Sequence, residues 1–408
     1  MELRSKQTFV PLRPKRMREA NMRELLRIVK QHAPCSRADL VRMSGLTAPT
    51  VSALIEGLQQ SGVVKFIGDG KPNGGRPPRL VEFNGEHAFV IGVDIGGSNL
   101  RIALSDLNGK IRGRWSRELR GARTPRGVTD LIAEGVRDLC ATSGVSVKKI
   151  LELGAGAPGI TDVSSGRVVS APNLTDWHDV PLRDLLRKKT GIPATIENDV
   201  NLAALGEHWR GTAQNVNDFV FLAIGTGVGA GIMMSGHLHH GANWSAGEIG
   251  YLMLPGLPPN PLVVDQLGAL ESAIGGRGIE RGWRERATQK GGDRRARASE
   301  ILALGDKGDP TARELLENSA EHLAIAITNM NLVLDVSLVI LGGGVANEPL
   351  RKATASFLSR NEFARPKLLL SSLGSDAQLM GSLRLALLSA EAHGYRRRRG
   401  KFDGAVAL

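Results

Sequence analysis

Apolar positions in the first 83 residues follow two successive rhythms. Between Ser36 and Gly62, SRADLVRMSGLTAPTVSALIEGLQQSG, the residues Leu40, Val41 and Met43 side one short segment, and Val51, Leu54, Ile55 and Leu58 recur at helical spacing in the next. Ser36 with Asp39 predicts a capping box, Ser44-Gly45-Leu46 a turn, Thr47 a cap for the second helix, and Gly62 its end. Pro49 falls in the first turn of that helix, where a missing N–H costs little. The pattern is that of a helix-turn-helix. Its second helix offers Thr47, Ala48, Thr50, Val51 and Ser52, with Arg37 on the first, as candidates to reach base edges or phosphates. An ordinary helical hairpin is the competing reading. Val63 to Gly68 and Arg79 to Phe83 then alternate with period two around GDGKPNGG, which predicts a hairpin wing. Gly75-Arg76-Pro77 on its approach holds Arg76 beside a rigid proline, a form suited to a narrow minor groove; a solvated loop is the alternative.

After Phe83 the rhythm changes to glycine-punctuated apolar strands, over a length that allows about two lobes of ~100 to 200 residues each. AFVIGVDI, residues 88–95, reads as a buried strand and Leu100 to Leu104 as its partner. Gly96, Gly97, Ser98 and Asn99 turn between them, with backbone N–H groups that can approach a phosphate and Asp94 at the mouth. The unit recurs as strand FVFLAI, turn GTGVGAG with Gly225, Thr226, Gly227 and Gly229, and strand IMM. Turns without any ligand are the alternative. No GxxxxGK[ST] is present, which excludes a P-loop. Gly225 to Ala230 formally matches the GxGxxG/A dinucleotide fingerprint, but Ile232 to Met234 reads as a strand where that fingerprint needs a helix.

Between the two hairpins, PATIEND ends a strand in Asn198 and Asp199, and a helix is predicted from Val200 to Trp209. Strand ends of this kind face the ligand crevice of an α/β sheet, so Asp199 is a candidate general base and Asn198 a hydroxyl ligand; a plain helix cap at Asp199 competes. Downstream, Glu248 stands between glycines in SAGEIG and Glu271 precedes Gly275-Gly276. Isolated glutamates are usually solvated, but several carboxylates and an amide in one cleft would match the hydroxyls of a sugar.

Charge sharpens the division. Residues 1–80 hold 15 basic and 6 acidic side chains, so most of the net charge of +12 lies at the helix-turn-helix end, where a polyanion is the natural partner. No apolar run is long enough for a signal peptide or membrane span, and the two cysteines, Cys35 and Cys140, form neither a CxxC pair nor a disulfide framework. A cytoplasmic protein without membrane attachment is expected.

These motifs together resemble the ROK family of repressors, open reading frames and sugar kinases, over nearly the whole length. DIGGSNLR at Asp94 to Arg101 is similar to that family's first phosphate loop, IENDVNLAALGE at Ile196 to Glu207 to its catalytic segment, and GTGVGAGI to its second phosphate loop. LGGGVAN, with Gly343 and Gly344, is similar to its nucleotide-contacting turn. The resemblance implies an α/β fold: a two-lobed actin-like ATPase domain, with sugar in the cleft, behind a winged helix-turn-helix. It implies Asp199 as general base, and Asn198, Asp199, Glu248, Glu271 and Asn173, in APNLTDW, as sugar contacts. Two departures stand out. Tyr251 replaces the histidine of GEIGH, a zinc ligand and sugar contact, and the CxCGxxGC loop is gone, its cysteine positions falling near Leu262, Val264 and Ala269. The family's structural zinc is therefore expected to be absent, with packing of Leu262, Val263, Val264 and Leu267 in its place.

The expected organisation is a basic flexible segment at 1–16, a DNA-binding domain at 17–83 and the kinase-like domain at 88–408. Its small lobe spans about 88–200 plus a C-terminal helix at about 376–393, and its large lobe about 201–375. The expected function is a sugar-responsive regulator, a repressor, acting on operator DNA as a homodimer or dimer of dimers. DNA binding requires no cofactor. The alternative is an ATP-dependent sugar kinase using ATP and magnesium, alone or alongside regulation, because Asp94, Asp199 and both phosphate loops are intact. A nicotinamide enzyme rests on the formal fingerprint alone.

Overall fold

The computed structural model describes residues 14–71, 77–172, 174–257, 266–287 and 295–395. Arg76, Asn173, Leu262, Val263, Val264 and the basic run Arg396 to Arg399 lie outside them.

The N-terminal part contains α1 (Pro14–His32), β1 (Cys35–Ser36), α2 (Arg37–Ser44), α3 (Ala48–Gln60), β2 (Val64–Asp69) and β3 (Arg79–Phe83). Helix α1 starts within the segment expected to be flexible. The capping box forms as the sequence predicts: Asp39 N donates to Ser36 Oγ at 3.2 Å and Ser36 N to Asp39 Oδ2 at 2.9 Å. Gly45 ends α2 at φ 67°, a left-handed conformation that favours glycine. Thr47 holds the N-cap position of α3 without a side-chain capping bond, its hydroxyl lying 2.9 Å from that of Thr50 instead. Leu25, Leu26 and Val29 of α1 bury against Leu40, Val51, Leu54, Ile55 and Leu58. Met43, expected on the apolar side of α2, is exposed. The wing forms as an antiparallel sheet in the order β1-β3-β2, the two-residue β1 adding an edge that alternation does not reveal.

A short 3-10 turn, Gly85–His87, leads into the larger domain. There follow β4 (Phe89–Ile95), β5 (Asn99–Asp106), β6 (Ile111–Glu118), α4 (Pro125–Ser143), β7 (Ile150–Ala157), β8 (Ile160–Asp162), β9 (Arg167–Ser170), β10 (His178–Val180), α5 (Leu182–Thr190), β11 (Ala194–Asn198) and α6 (Asp199–Arg210). The second half holds β12 (Phe219–Ile224), β13 (Val228–Met234), β14 (His237–Leu238), α7 (Ala269–Ile274), α8 (Gly276–Ala287), α9 (Ala298–Asp306), α10 (Pro310–Leu334), β15 (Leu338–Gly342), α11 (Glu348–Leu358), β16 (Lys367–Leu370) and α12 (Ala377–Ala392).

The two large sheets share one plan. One runs β6-β5-β4-β7-β11, the other β14-β13-β12-β15-β16; in each, an antiparallel three-strand meander is extended by two parallel strands. The turns at 96–98 and 225–227 therefore occupy equivalent places, one per sheet. A small antiparallel sheet, β10-β9-β8, flanks the first.

Helices α6 and α12 pack together between the sheets, α12 against β4 and β7 and α6 against β12 and β13. Small residues make this possible: a Cβ at Gly381 would lie 1.8 Å from the Leu202 carbonyl, and one at Gly206 2.3 Å from that of Ala377. Buried Glu207 ties α6 to the segment before α12, accepting from Leu373 N at 3.2 Å, from Thr212 N at 2.6 Å and from the Ser371 hydroxyl. Among the described residues no helix is long and apolar enough to cross a membrane.

Candidate functional site

The cleft is built where strands end. β11 stops at Asn198, which is the N-cap of α6: its Oδ1 accepts from Val200 N at 2.8 Å and Asn201 N at 3.0 Å, and its Nδ2 donates to Gly159 O at 2.9 Å. The capping role considered for Asp199 thus belongs to Asn198, whose Oδ1 is committed to backbone N–H groups while its Nδ2 spends one of its two N–H groups on Gly159. Asp199, the first residue of α6, is freed for other work.

Asp199 keeps part of its surface open, yet protein surrounds its carboxyl. Desolvation, then the charge of Asp94 and, less strongly, that of Glu248, push it up to about 7 against the opposing pull of the Val200 N–H. Glu248 is raised by burial and by Glu271, and Glu271 by burial, the latter opposed by Val228 N at 3.4 Å and by Arg277. Four carboxylates predicted from separate motifs, Asp94, Asp199, Glu248 and Glu271, therefore form one electrostatic chain. The loop path explains the meeting. Gly247, at φ 92°, presses on β13, where a Cβ would meet the Ala230 carbonyl at 1.9 Å, and Gly268 before α7 crosses Gly250 as closely, at 2.1 Å. Half-buried Tyr251 follows Glu248 in the 3-10 turn Ile249–Tyr251.

Asp94 is buried and raised by desolvation, against the pull of Arg101, its direct cross-strand neighbour. Arg101 Nε and Nη2 donate to one Asp94 oxygen at 2.9 and 2.6 Å. Arg101, in the DIGGSNLR motif, was not singled out among the candidate residues, although the hairpin around Gly96 to Asn99 sets it opposite Asp94.

The glycine turns line the same region. Gly97, Ser98, Asn99, Thr226, Gly343 and Gly344 are exposed, and Gly96, Gly225 and Gly227 half-exposed. The turn after β15 reaches the turn after β12: Val345 N donates to Ile224 O at 2.9 Å, and the N–H of Gly276, opening α8, to Gly225 O at 2.8 Å. A Cβ at Gly97 or Gly344 would meet nothing within 4 Å, so these turns fit a phosphate chain approaching the backbone. Gly229 does not belong with them. It lies inside β13 paired with Ala223, where it serves packing, since a Cβ would press on Val200 of α6 at 3.3 Å. That strand also removes the dinucleotide fingerprint, which needed a helix.

A further pair was missed by sequence reasoning. His240 Nε2 lies 2.7 Å from Glu197 Oε2, and Glu197, fully buried, also accepts from Asn198 N at 2.9 Å and Asn201 Nδ2 at 3.0 Å. The only clue was a histidine in HHGANW and an acid beside Asn198.

On the DNA-binding part, Thr47 and Ala48 are exposed and Thr50 and Ser52 half-exposed on α3. Val51 is completely buried in the domain core and cannot touch DNA. Arg37 is half-buried, its Nη2 3.3 Å from Glu56 Oε1 of α3, so it braces the two helices.

The DNA-binding part is docked on the last helix. Lys30 Nζ of α1 donates to the Tyr395 hydroxyl at 2.5 Å and lies 3.9 Å from Glu391, while Phe83 and Tyr395 pack ring to ring at 5.0 Å. Burial lowers the Lys30 ammonium and raises the Tyr395 phenol.

These features define a winged helix-turn-helix joined to a two-lobed, actin-like sugar-kinase body. Residues 90–388 match the ROK family and residues 18–65 a winged helix-turn-helix DNA-binding family. The chain belongs to the ROK family. It is 27% identical over 387 residues to the xylose repressor of Caldicellulosiruptor bescii, covering 91% of this chain and 96% of the relative. It is 28% identical over 308 residues to the glucokinase of Halalkalibacterium halodurans, covering 72% of this chain and 93% of that enzyme. The crystal structure of a ROK family transcriptional regulator, a homolog of the E. coli MLC protein, superposes with a TM-score of 0.77 at 21% identity, covering 93% of this chain and 97% of that one.

Proposed function

We propose that this chain is a sugar-responsive transcriptional repressor. The observation that carries the reading is its pairing of a winged helix-turn-helix with a carboxylate-lined cleft, together with likeness to a repressor over 91% of its length and to a kinase over only 72%. α3 and the wing hold operator DNA, and a sugar or sugar derivative in the cleft alters that hold. The protein works in the cytoplasm as a homodimer or dimer of dimers, on paired half-sites. Glu248, Glu271 and Tyr251 face the sugar with Asp199. The test is fluorescence anisotropy with a fragment of a promoter it regulates, with and without a panel of hexoses, pentoses and amino sugars. Operator binding should vanish when residues 1–83 are deleted, and at least one sugar should shift it. Binding unaffected by the deletion would sink the reading.

A second reading, sugar phosphorylation, is favoured by Asp199. Its carboxyl, held at about 7, is poised to accept a proton from a sugar hydroxyl at neutral pH. ATP with magnesium would supply the phosphoryl group, against the turns at Gly96 to Asn99, Gly225 to Gly227 and Gly343-Gly344. Sugar-dependent consumption of ATP is the measurement that checks it.

A further inference from the structure

Helix α6 has its first residue, Asp199, in the cleft and its last, Arg210, at the junction of the two domains. Its twelve residues span about 18 Å. At the far end Arg210 Nη1 donates to Gly109 O at 2.8 Å and Nη2 to Asn108 O at 3.2 Å. The same guanidinium lies 4.1 Å from the centre of the Trp209 ring, and Trp209 covers Gly109 so closely that a Cβ there would sit 2.5 Å from the indole. The Asn108–Gly109 turn in turn grips the interdomain connection. Leu107 N donates to Gly85 O at 2.9 Å, and a Cβ at Gly85 would lie 2.2 Å from Asn108 Nδ2. Gly85 follows the wing strand β3, which ends at Phe83.

An unbroken run of close contacts therefore joins the cleft to the connection leaving the wing. A buried helix with its hydrogen bonds intact does not compress, and the glycine contacts with α12 bind the two helices into one body. The DNA-binding part has a second attachment, Lys30 to Tyr395 and Glu391, on that same body. Two attachments, one at the connection and one at the side, suit a pivot.

We propose that α6 is a strut by which cleft occupancy reaches the DNA-binding domain. A shift at Asp199 is delivered by Trp209 and Arg210 to the Asn108–Gly109 turn and on to Gly85, tilting the winged helix about the Lys30–Tyr395 contact. The proposal rests on the reading of the cleft as a sugar site, and supplies the route by which that site acts.

The test uses the full chain with D-xylose, D-glucose and N-acetyl-D-glucosamine as separate probes, binding read by calorimetry and backbone protection by hydrogen–deuterium exchange. In the unaltered chain a probe that binds slows exchange at 198–206 and shifts it at 84–87 and 107–110. In Arg210→Ala the affinity stays within about twofold and the response at 198–206 persists, while the shift at 84–87 falls about fivefold or more. Arg210→Lys, which keeps the stem on Trp209 but loses the fork, shows a smaller loss and carries the test if Arg210→Ala unfolds. A shift at 84–87 undiminished in both variants, or a probe that binds without moving 84–87 in the unaltered chain, overturns the strut and leaves the sugar pocket standing. Calorimetric silence with every probe, in a chain that melts cooperatively, overturns the sugar reading and the strut with it.

Discussion

His240 Nε2 stands 2.7 Å from Glu197 Oε2, and this contact fastens the 239–247 loop to the end of the strand that carries Asn198. Burial alone would lower the imidazole, but the hydrogen bond and charge of Glu197 outweigh it and raise His240 above its ordinary value of 6.5. A histidine raised in the fold contributes stability that is complete below its unfolded pKa and fades as pH climbs through the folded one. The melting temperature of the native chain should therefore exceed that of His240→Ala most at pH 6, and the margin should narrow as pH rises past neutrality. The full margin should be about 1.5 kcal/mol, the lower end for a charged hydrogen bond. A margin that grows with pH would contradict the pairing.

Asp199 has a linkage of the same sign, felt as a penalty that builds with pH and not as a bonus that fades. An acid raised from 3.8 to about 7 destabilises the fold increasingly as pH rises between those values. Asp199→Asn should melt higher than the native chain at pH 8, and the advantage should disappear near pH 4. Any phosphoryl transfer should fall by roughly 100-fold or more in the same variant, since the amide cannot take the proton. A kinase rate unchanged in Asp199→Asn rules out its role as base.

Glu248→Gln and Glu271→Gln should each weaken sugar affinity by about 1 to 3 kcal/mol if the carboxylates accept hydroxyl hydrogen bonds. Titration calorimetry reads this directly. Both variants should also bind DNA normally in the absence of sugar, and loss of that binding would point to misfolding instead.

On α3, substitutions at two adjacent residues should act in different ways. Val51→Ala empties buried space and should cost the DNA-binding domain about 1 to 3 kcal/mol. Thr50→Ala should leave the melting temperature alone while weakening operator affinity, and Arg76→Ala should weaken binding most at A·T-rich flanks. Equal loss of stability in Thr50→Ala and Val51→Ala would remove the distinction between surface and core.

Zinc is expected to be absent from tag-free protein, because in sequence Tyr251 takes the place of the family's zinc-binding histidine and apolar residues that of its cysteines, and zinc prefers Cys, His or carboxylate donors. Chelators should leave folding and sugar response unchanged. Stoichiometric zinc by elemental analysis overturns this.

Sequence alone determined what depends on neighbours along the chain. Helical spacing and caps placed α2 and α3, alternation placed β3 at Arg79 to Phe83, and the glycine turns fell where the sheets need them. The strand after Gly227 could also be read, because Ile232 to Met234 followed by a Ser-Gly turn leaves no room for a helix. Which side of an element faces protein is a different matter. Val51 lies on the apolar stripe that the spacing shows, yet it adjoins Thr50 near the start of α3, and only the packing of α3 on α2 and β2 seals it away from DNA while Thr50 stays at the surface. Likewise Gly229 looks like its neighbours in GTGVGAG until α6 is seen lying across it. The His240–Glu197 pair and the contact of Lys30 with Tyr395 join residues 43 and 365 positions apart. Local periodicity carries no information on such meetings: burial of the whole body sets them, through the close approach of α6 and α12 between two sheets that each fold from their own stretch of chain.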